Sequence, residues 1–143
     1  MKRLRRFGAK ENPVYEARTR DIVVRVSPAY QTDQSAPEEG RWFWTYTVEI
    51  ENHGAETVQL VSRHWVITDG LNRREDVRGP GVVGEQPTLK PREAFRYSSG
   101  CPLTTPSGMM RGAYQMMTRE GDAFDVTIPE FSLDLPGARR VVN

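Results

Sequence analysis

Strict two-residue alternation over residues 41–51 is the feature that most constrains the fold of this chain. The positions between its large apolar side chains are mostly polar. The apolar series consists of Trp42, Trp44, Tyr46, Val48 and Ile50. Because successive side chains of a β-strand point to opposite faces, this pattern predicts a strand with one face in a core and the other towards solvent.

Shorter segments of similar character follow along the chain, separated by turn residues such as Gly, Pro, Asn and Asp. The predicted strands are residues 21–30, 41–51, 57–68, 73–78, 94–98, 113–118 and 124–128. We expect 57–68 to be a central strand, 73–78 to be a charged edge strand, and 99–112 to be a long connection. Pro28 is expected to end the hydrogen-bonded ladder of the first strand. About seven antiparallel strands without a sustained helical period predict an all-β sandwich.

The length of 143 residues predicts one domain, which we place at residues 18–135. Residues 1–17 carry Lys2, Arg3, Arg5, Arg6 and Lys10 and are interpreted as a basic, flexible N-terminal tail. Such a tail is either a solvated arm or a weak anchor for RNA or another polyanion. Residues 136–143 are expected to fray.

Charge and hydropathy exclude several classes of protein. The formal net charge of +1 gives no general attraction to nucleic acid or to an anionic membrane. No apolar run approaches the roughly 20 residues of a membrane helix, and the basic N-terminus is not followed by the apolar stretch of a signal peptide. We therefore expect a cytoplasmic protein. A single cysteine excludes an internal disulfide and a cysteine-based zinc cage.

The first candidate site is a glycine-rich segment that fits the GxGxxG spelling of a phosphate-binding turn. It consists of Gly79, Pro80, Gly81, Val82, Val83, Gly84, Glu85 and Gln86. A dinucleotide site needs a strand before this spelling and a helix after it, whereas Pro80 removes one amide donor and Pro87 follows closely. We interpret the segment as a loop or bulge whose exposed Val82 and Val83 contact a partner protein. The alternative is a turn that binds pyrophosphate or a nucleotide.

The second candidate site lies in the connection 99–112. Its residues are Cys101, Thr105, Met109, Met110 and Arg111. Methionine side chains adapt to varied apolar partners, and arginine is enriched at interfaces. In the anion-binding alternative, Arg78 or Arg111 supplies positive charge to the glycine-rich segment.

No catalytic or metal-binding constellation emerges from the residue spacing. His53 and His64 are the only histidines, and no ligand cluster joins them. Cys101 has no base beside it, and the hydroxyl-rich residues around it lack a GxSxG elbow. We expect no enzymatic activity, no resident metal and no cofactor.

Motifs spread over the chain resemble those of the bacterial ApaG family. They include WFWTYT at 42–47, SRHWVITD at 62–69, GPGVVGEQP at 79–87, SSG at 98–100, TPSG at 105–108 and MRG at 110–112. The resemblance extends in order over roughly residues 22–135. It implies a fibronectin type III-like or immunoglobulin-like β-sandwich with no established catalytic activity.

The resemblance also implies a biological context. Bacterial ApaG proteins are associated with the operon of a diadenosine tetraphosphatase and an rRNA dimethyltransferase, and with cobalt and magnesium homeostasis. Related domains of eukaryotic F-box proteins and of a polymerase-δ-interacting protein are regarded as protein-interaction modules. The function expected for this chain is therefore a non-catalytic module that binds an unidentified protein.

Overall fold

The computed structural model describes residues 12–137, in which all regular structure is β-strand apart from two 3₁₀ turns at Thr32–Gln34 and Pro37–Glu39. The strands are β1 (Tyr15–Thr19), β2 (Ile22–Tyr30), β3 (Trp42–Asn52), β4 (Val58–Asp69), β5 (Arg74–Pro80), β6 (Thr88–Leu89), β7 (Ala94–Leu103), β8 (Gly108–Thr118) and β9 (Ala123–Leu133).

The strands form two stacked antiparallel sheets. One has the order β1-β2-β3-β7, and the other has the order β5-β4-β8-β9, with β6 added to β4. This arrangement confirms the predicted sandwich of the immunoglobulin-like or fibronectin type III-like class. It also confirms the central position of β4 and the edge position of β5. The strands β1 and β6 were not predicted, since neither shows a clear alternation.

The alternating strand β3 lies at the centre of the core. Trp44, Tyr46, Val48 and Ile50 are each at most 6% exposed, so the predicted inward face is confirmed for these four residues. Trp42, at the start of the strand, is only partly buried. The intervening side chains form the outer face of the first sheet, which explains why they are mostly polar.

Trp65 of β4 joins the two sheets through aromatic contacts. Its indole is 3% exposed. Its ring centroid lies 5.2 Å from that of Tyr46, 6.0 Å from that of Phe131 and 6.5 Å from that of Tyr114. All three contacts are edge-to-face, the geometry that the charge distribution of aromatic rings favours.

Four prolines lie within strands, namely Pro28, Pro80, Pro102 and Pro129, and the prediction that Pro28 ends the ladder is wrong. Pro28 pairs with Tyr46 within β2, beyond the last β1–β2 pair, which joins Tyr15 to Val26. Its missing amide donor therefore breaks no ladder with β1. Pro102 lies in β7, an edge strand, where a proline can leave one side of the ladder unpaired.

The predicted long connection 99–112 is also wrong. β3 is long enough to pair with β7 as far as Leu103, and β8 begins at Gly108, so only residues 104–107 connect the two strands. Residues 15–17, which were assigned to the basic tail, begin β1. The rest of the two predicted tails falls mainly on residues 1–11 and 138–143, which lie outside the described residues.

The two lateral sides of the sandwich differ. On one side β1 packs against β9: the ring centroids of Tyr15 and Phe131 are 6.0 Å apart, and the Thr127 amide donates to Thr19 Oγ1 over 3.0 Å. Residues 12–13, before β1, line a small depression together with Ser132 and residues 134–137, at the end of β9, and with side chains of β2 and β3. The other side lies between the edge strands β5 and β7, which do not pair.

Over residues 12–137, the structure contains no helix with the length and apolar character needed to span a membrane.

Candidate functional site

The open side between β5 and β7 forms a cleft, here called the lateral cleft. Both edge strands turn one face towards it. These faces carry Glu75, Val77 and Gly79 on β5 and Tyr97, Ser99 and Cys101 on β7. Because Gly79, Ser99 and Cys101 are small, the space between the strands is not filled by side chains.

Four residues line the lateral cleft along its length, and they are Tyr46, Arg63, Trp65 and Ser99. One half, of about 420 Å³, is also lined by Pro80, Val82, Val83 and Gly84. The other half, of about 290 Å³, is also lined by Cys101 and Met110. Residues of both candidate sites predicted from the sequence therefore meet at one cleft, which they approach from opposite ends.

The glycine-rich segment folds into a tight turn after β5. Val82 and Glu85 exchange two backbone hydrogen bonds of 2.8 and 2.9 Å. Val83 and Gly84, at the tip, have φ of +41° and +81°. Positive φ at both central residues defines a type I′ turn, in which a β-branched valine is unfavourable.

The prediction that Val82 and Val83 are both exposed is half wrong. Val82 is 1% exposed and belongs to the core, because the turn folds its side chain inward. Val83 is 55% exposed at the rim of the lateral cleft, as expected. Glu85 and Gln86 are exposed, and the Gln86 side chain donates to the Val61 carbonyl over 2.8 Å.

Each glycine of the GxGxxG spelling is explained by a different structural constraint on adding a side chain. A Cβ at Gly79 would lie 3.0 Å from the Arg63 guanidinium, which crosses β5 there and donates to the carbonyls of Pro80 and Gly81. A Cβ at Gly81 would lie 2.1 Å from the Glu85 carbonyl oxygen, and its φ is +58°. Gly84 meets nothing within 4 Å but has positive φ.

This difference predicts unequal effects for two matched substitutions. We expect Gly84→Ala to lower the free energy of unfolding by about 1 kcal/mol, the cost of a left-handed alanine. Gly81→Ala adds a clash with backbone, so we expect a loss of about 3 kcal/mol. Urea unfolding followed by tryptophan fluorescence measures both losses. Equal losses would mean that the turn shifts freely away from an added Cβ.

The turn does not have the surroundings of a dinucleotide site. It leads to the short strand β6, and the described residues contain no helix beyond the two 3₁₀ turns that precede β3. The amides of Gly81, Val82 and Glu85 already donate to backbone carbonyls. Arg78 lies on the outer face of β5 beside His64, so it does not face the turn. These observations favour a structural reason for the glycines.

The second candidate site is not the exposed loop that was predicted, because β7 and β8 extend into it. Cys101 and Met110 are 3% and 1% exposed, and both face the core. Thr105 lies in the connection but is buried, where its hydroxyl accepts from the Gly70 amide and donates to the Ser107 carbonyl. Met109 and Arg111 are exposed on β8.

The protic groups next to the lateral cleft are held in their neutral forms. Burial, and then the nearby Glu75 carboxylate, raise the pKa of the Cys101 thiol to about 12, so it is a poor nucleophile. The hydroxyls of Tyr97 and Tyr114 share a buried hydrogen bond between the two sheets. Burial raises the pKa of both tyrosines and of Tyr46. None of these groups has a pKa suited to a general acid or base near neutral pH.

Comparison with known proteins gives the family. The sequence profile of the ApaG domain matches residues 32–118. Protein ApaG of Caulobacter vibrioides is 65% identical over 140 residues, which cover 98% of this chain and 100% of that protein. The chain belongs to the ApaG family. Protein ApaG of a Bradyrhizobium strain is 58% identical over 130 residues, covering 91% of this chain and all of that protein.

A solved ApaG-family structure has the same fold. The crystal structure of the putative ApaA protein from Bordetella pertussis superposes with a TM-score of 0.81 at 46% identity, covering 89% of this chain and 98% of that one. The profile match at 32–118 includes every residue that lines the lateral cleft, from Tyr46 to Met110. The cleft is therefore built from the part of the chain that defines the ApaG domain.

The two histidines of this ApaG-family chain are both paired with carboxylates. His64 Nε2 lies 2.7 Å from Asp76, and His53 Nε2 lies 2.8 Å from Glu51. Hydrogen bonds from Arg74, and then from His64, hold the pKa of Asp76 well below its usual value. Within residues 12–137, no group of three or more His, Cys, Asp or Glu side chains is placed to hold a metal ion.

Sequence reasoning did not identify most of the residues that line the lateral cleft. Arg63 and Trp65 share a face of β4, and Val77 lies opposite Trp65 on β5. The alternation of β4 is enough to predict that Arg63 and Trp65 share a face. The alternation does not show that β7 lies opposite this face, because the position of β7 depends on the order of strands in both sheets.

Proposed function

We propose that this ApaG-family chain is a non-catalytic, cytoplasmic binding module that holds a partner protein in the lateral cleft. The observation that carries the proposal is the cleft itself, a space between two unpaired strand edges that has the largely buried rings of Tyr46 and Trp65 at its base. Aromatic side chains are enriched at the centres of protein interfaces. Val83 adds an exposed apolar contact at the rim.

The side chains around the lateral cleft support binding more than catalysis. The thiol of Cys101 has a raised pKa, and His64 is bound to Asp76 on the outer face of the sheet. Arg63 donates to two backbone carbonyls. These groups hold the walls of the cleft in place, and no nucleophile is joined to a base there among the described residues.

Binding of pyrophosphate or a nucleotide at the glycine-rich segment is the weaker alternative. Its support is limited to the GxGxxG spelling, because three amides of the turn already have carbonyl partners. In our proposal, any effect on cobalt or magnesium homeostasis passes through the partner protein, since each histidine is already paired with a carboxylate.

A capture experiment with two matched variants tests the proposal. Val83→Asp adds a charge at the rim of the lateral cleft, at a φ that aspartate tolerates. Met117→Asp adds the same charge on β8, where Met117 is 39% exposed outside the cleft. We expect tagged wild type and Met117→Asp to retain the same protein at stoichiometric level, and Val83→Asp to lose it.

The proposal fails if Val83→Asp retains the captured protein as well as wild type does. It also fails if a nucleotide, and no protein, co-purifies with the wild-type chain. Thermal unfolding of both variants by circular dichroism checks that each one is folded, so that loss of capture reports on the surface.

A further inference from the structure

Two side chains of opposite charge line the lateral cleft without a counter-charge in the described range. Arg63 uses one guanidinium nitrogen for the Pro80 and Gly81 carbonyls and contacts no carboxylate of residues 12–137. The Glu75 side chain forms neither a hydrogen bond nor an ion pair with any of these residues. A guanidinium has five N–H donors, so Arg63 retains donors for a ligand.

The strand register sets the spacing of these two charges. Arg63 lies opposite Gly79, and Glu75 lies opposite Ile67. The two positions are four residues apart along the same inward face, which is roughly 13 Å in a strand. Between them lie Trp65 and Val77, which are paired with each other across β4 and β5. The face therefore presents a cation, an apolar centre and an anion at two-residue intervals.

Next to this face, the free edge of β5 presents main-chain donors and acceptors to which another strand could bind. β5 pairs only with β4 among the described strands, so the backbone groups along its other edge have no strand partner. An exposed edge of this kind can accept an additional strand through main-chain hydrogen bonds. β7 is the poorer template, because Pro102 has no amide hydrogen.

We propose that the lateral cleft binds an extended segment of the partner protein that pairs with the β5 edge and carries acidic, apolar and basic residues at alternate positions. This inference rests on the proposed function and specifies its ligand. The acidic residue pairs with Arg63, the apolar residue contacts Val77, and the basic residue pairs with Glu75. In an extended chain, residues i, i+2 and i+4 share one face and match this spacing.

The charges also set the direction of the bound segment. Antiparallel pairs are the commoner arrangement in sheets. A segment antiparallel to β5 passes Gly79 first and Glu75 last, since β5 runs from Arg74 to Pro80. Its acidic residue therefore comes first, which gives the pattern acidic-x-apolar-x-basic from N- to C-terminus.

Blocked, labelled heptapeptides test this pattern by fluorescence anisotropy at low salt. The probe is TETVTKT, in which threonine is a neutral residue with high strand propensity. Its comparisons are TETVTET, which lacks the basic residue, TKTVTET, which reverses the charges, and TETSTKT, which lacks the apolar residue. We expect wild type to bind TETVTKT most tightly, and each comparison roughly tenfold more weakly.

A charge exchange on the protein provides the decisive variant. Glu75 is exposed and its side chain makes no hydrogen bond or ion pair within residues 12–137, so Glu75→Lys is expected to unfold at the wild-type temperature. We expect this variant to prefer TETVTET over TETVTKT, roughly tenfold, which inverts the wild-type preference. In the Arg63→Lys variant, which keeps the positive charge, we expect the wild-type order of affinities.

The inference is overturned if no heptapeptide binds saturably, or if Glu75→Lys leaves the order of affinities unchanged. These failures are distinct from failure of the proposed function. A protein whose capture depends on Val83 but not on the charge at position 75 would remove the strand-pairing inference alone. Absence of both capture and peptide binding would remove both.

Discussion

Replacing Trp65 with alanine is expected to lower the free energy of unfolding by roughly 3–5 kcal/mol, the range for truncating a buried aromatic side chain. The indole is 3% exposed and meets three other rings from both sheets, so the cavity left behind cannot be filled by one neighbour. Domains of this size have a total stability of about 5–15 kcal/mol. Urea unfolding followed by far-ultraviolet circular dichroism measures the loss without relying on the deleted fluorophore.

Trp42→Ala is the matched control for this substitution. It also removes one of three tryptophans, but Trp42 lies at the start of β3 and is only partly buried. We expect a loss of about half that of Trp65→Ala or less, since less apolar area leaves water when Trp42 folds. A larger loss at Trp42 would contradict the position of Trp65 at the centre of the core.

Gly112→Ala is expected to destabilise the fold by roughly 3 kcal/mol or more, because the added carbon meets backbone. Gly112 of β8 lies opposite Trp65 of β4 in the second sheet. A Cβ there would lie 2.2 Å from the His64 carbonyl oxygen, so the two central strands must move apart. The same urea titration measures the change.

Gly121→Ala serves as the comparison for Gly112→Ala. Gly121 lies between β8 and β9, with φ of +92° and nothing within 4 Å of a built Cβ. Its replacement has only a conformational cost of about 1 kcal/mol. If Gly112→Ala were as mild as Gly121→Ala, the β4–β8 spacing would be less constrained than the structure indicates.

The sandwich was predictable because the main strands of the core each show an alternation of apolar and polar residues within their own sequence. The alternation of β3 places Trp44, Tyr46, Val48 and Ile50 inward without reference to any other strand. The length of β7 was not predictable in the same way. Residues 99–103, rich in Ser, Gly and Pro, have the composition of a loop and become a strand because β3 offers a long partner.

The lateral cleft could not be derived from the sequence, because it is defined by which strand edges face each other. In the sequence, Arg63 and Glu75 look like ordinary charged surface residues. Only the β4–β5 register places them on one inward face. The glycine-rich segment has the GxGxxG spelling of a phosphate-binding turn. In the structure its glycines instead accommodate Arg63 and a tight turn, while Val82 fills part of the core.

The meeting of Asn12 and Gly137, the two ends of the described range, at one depression has a practical consequence for how the domain can be handled. None of the residues that line this depression also lines the lateral cleft. Residues 12–137 can therefore be inserted into a loop of a host protein through two neighbouring attachment points that lie outside the lining of the cleft.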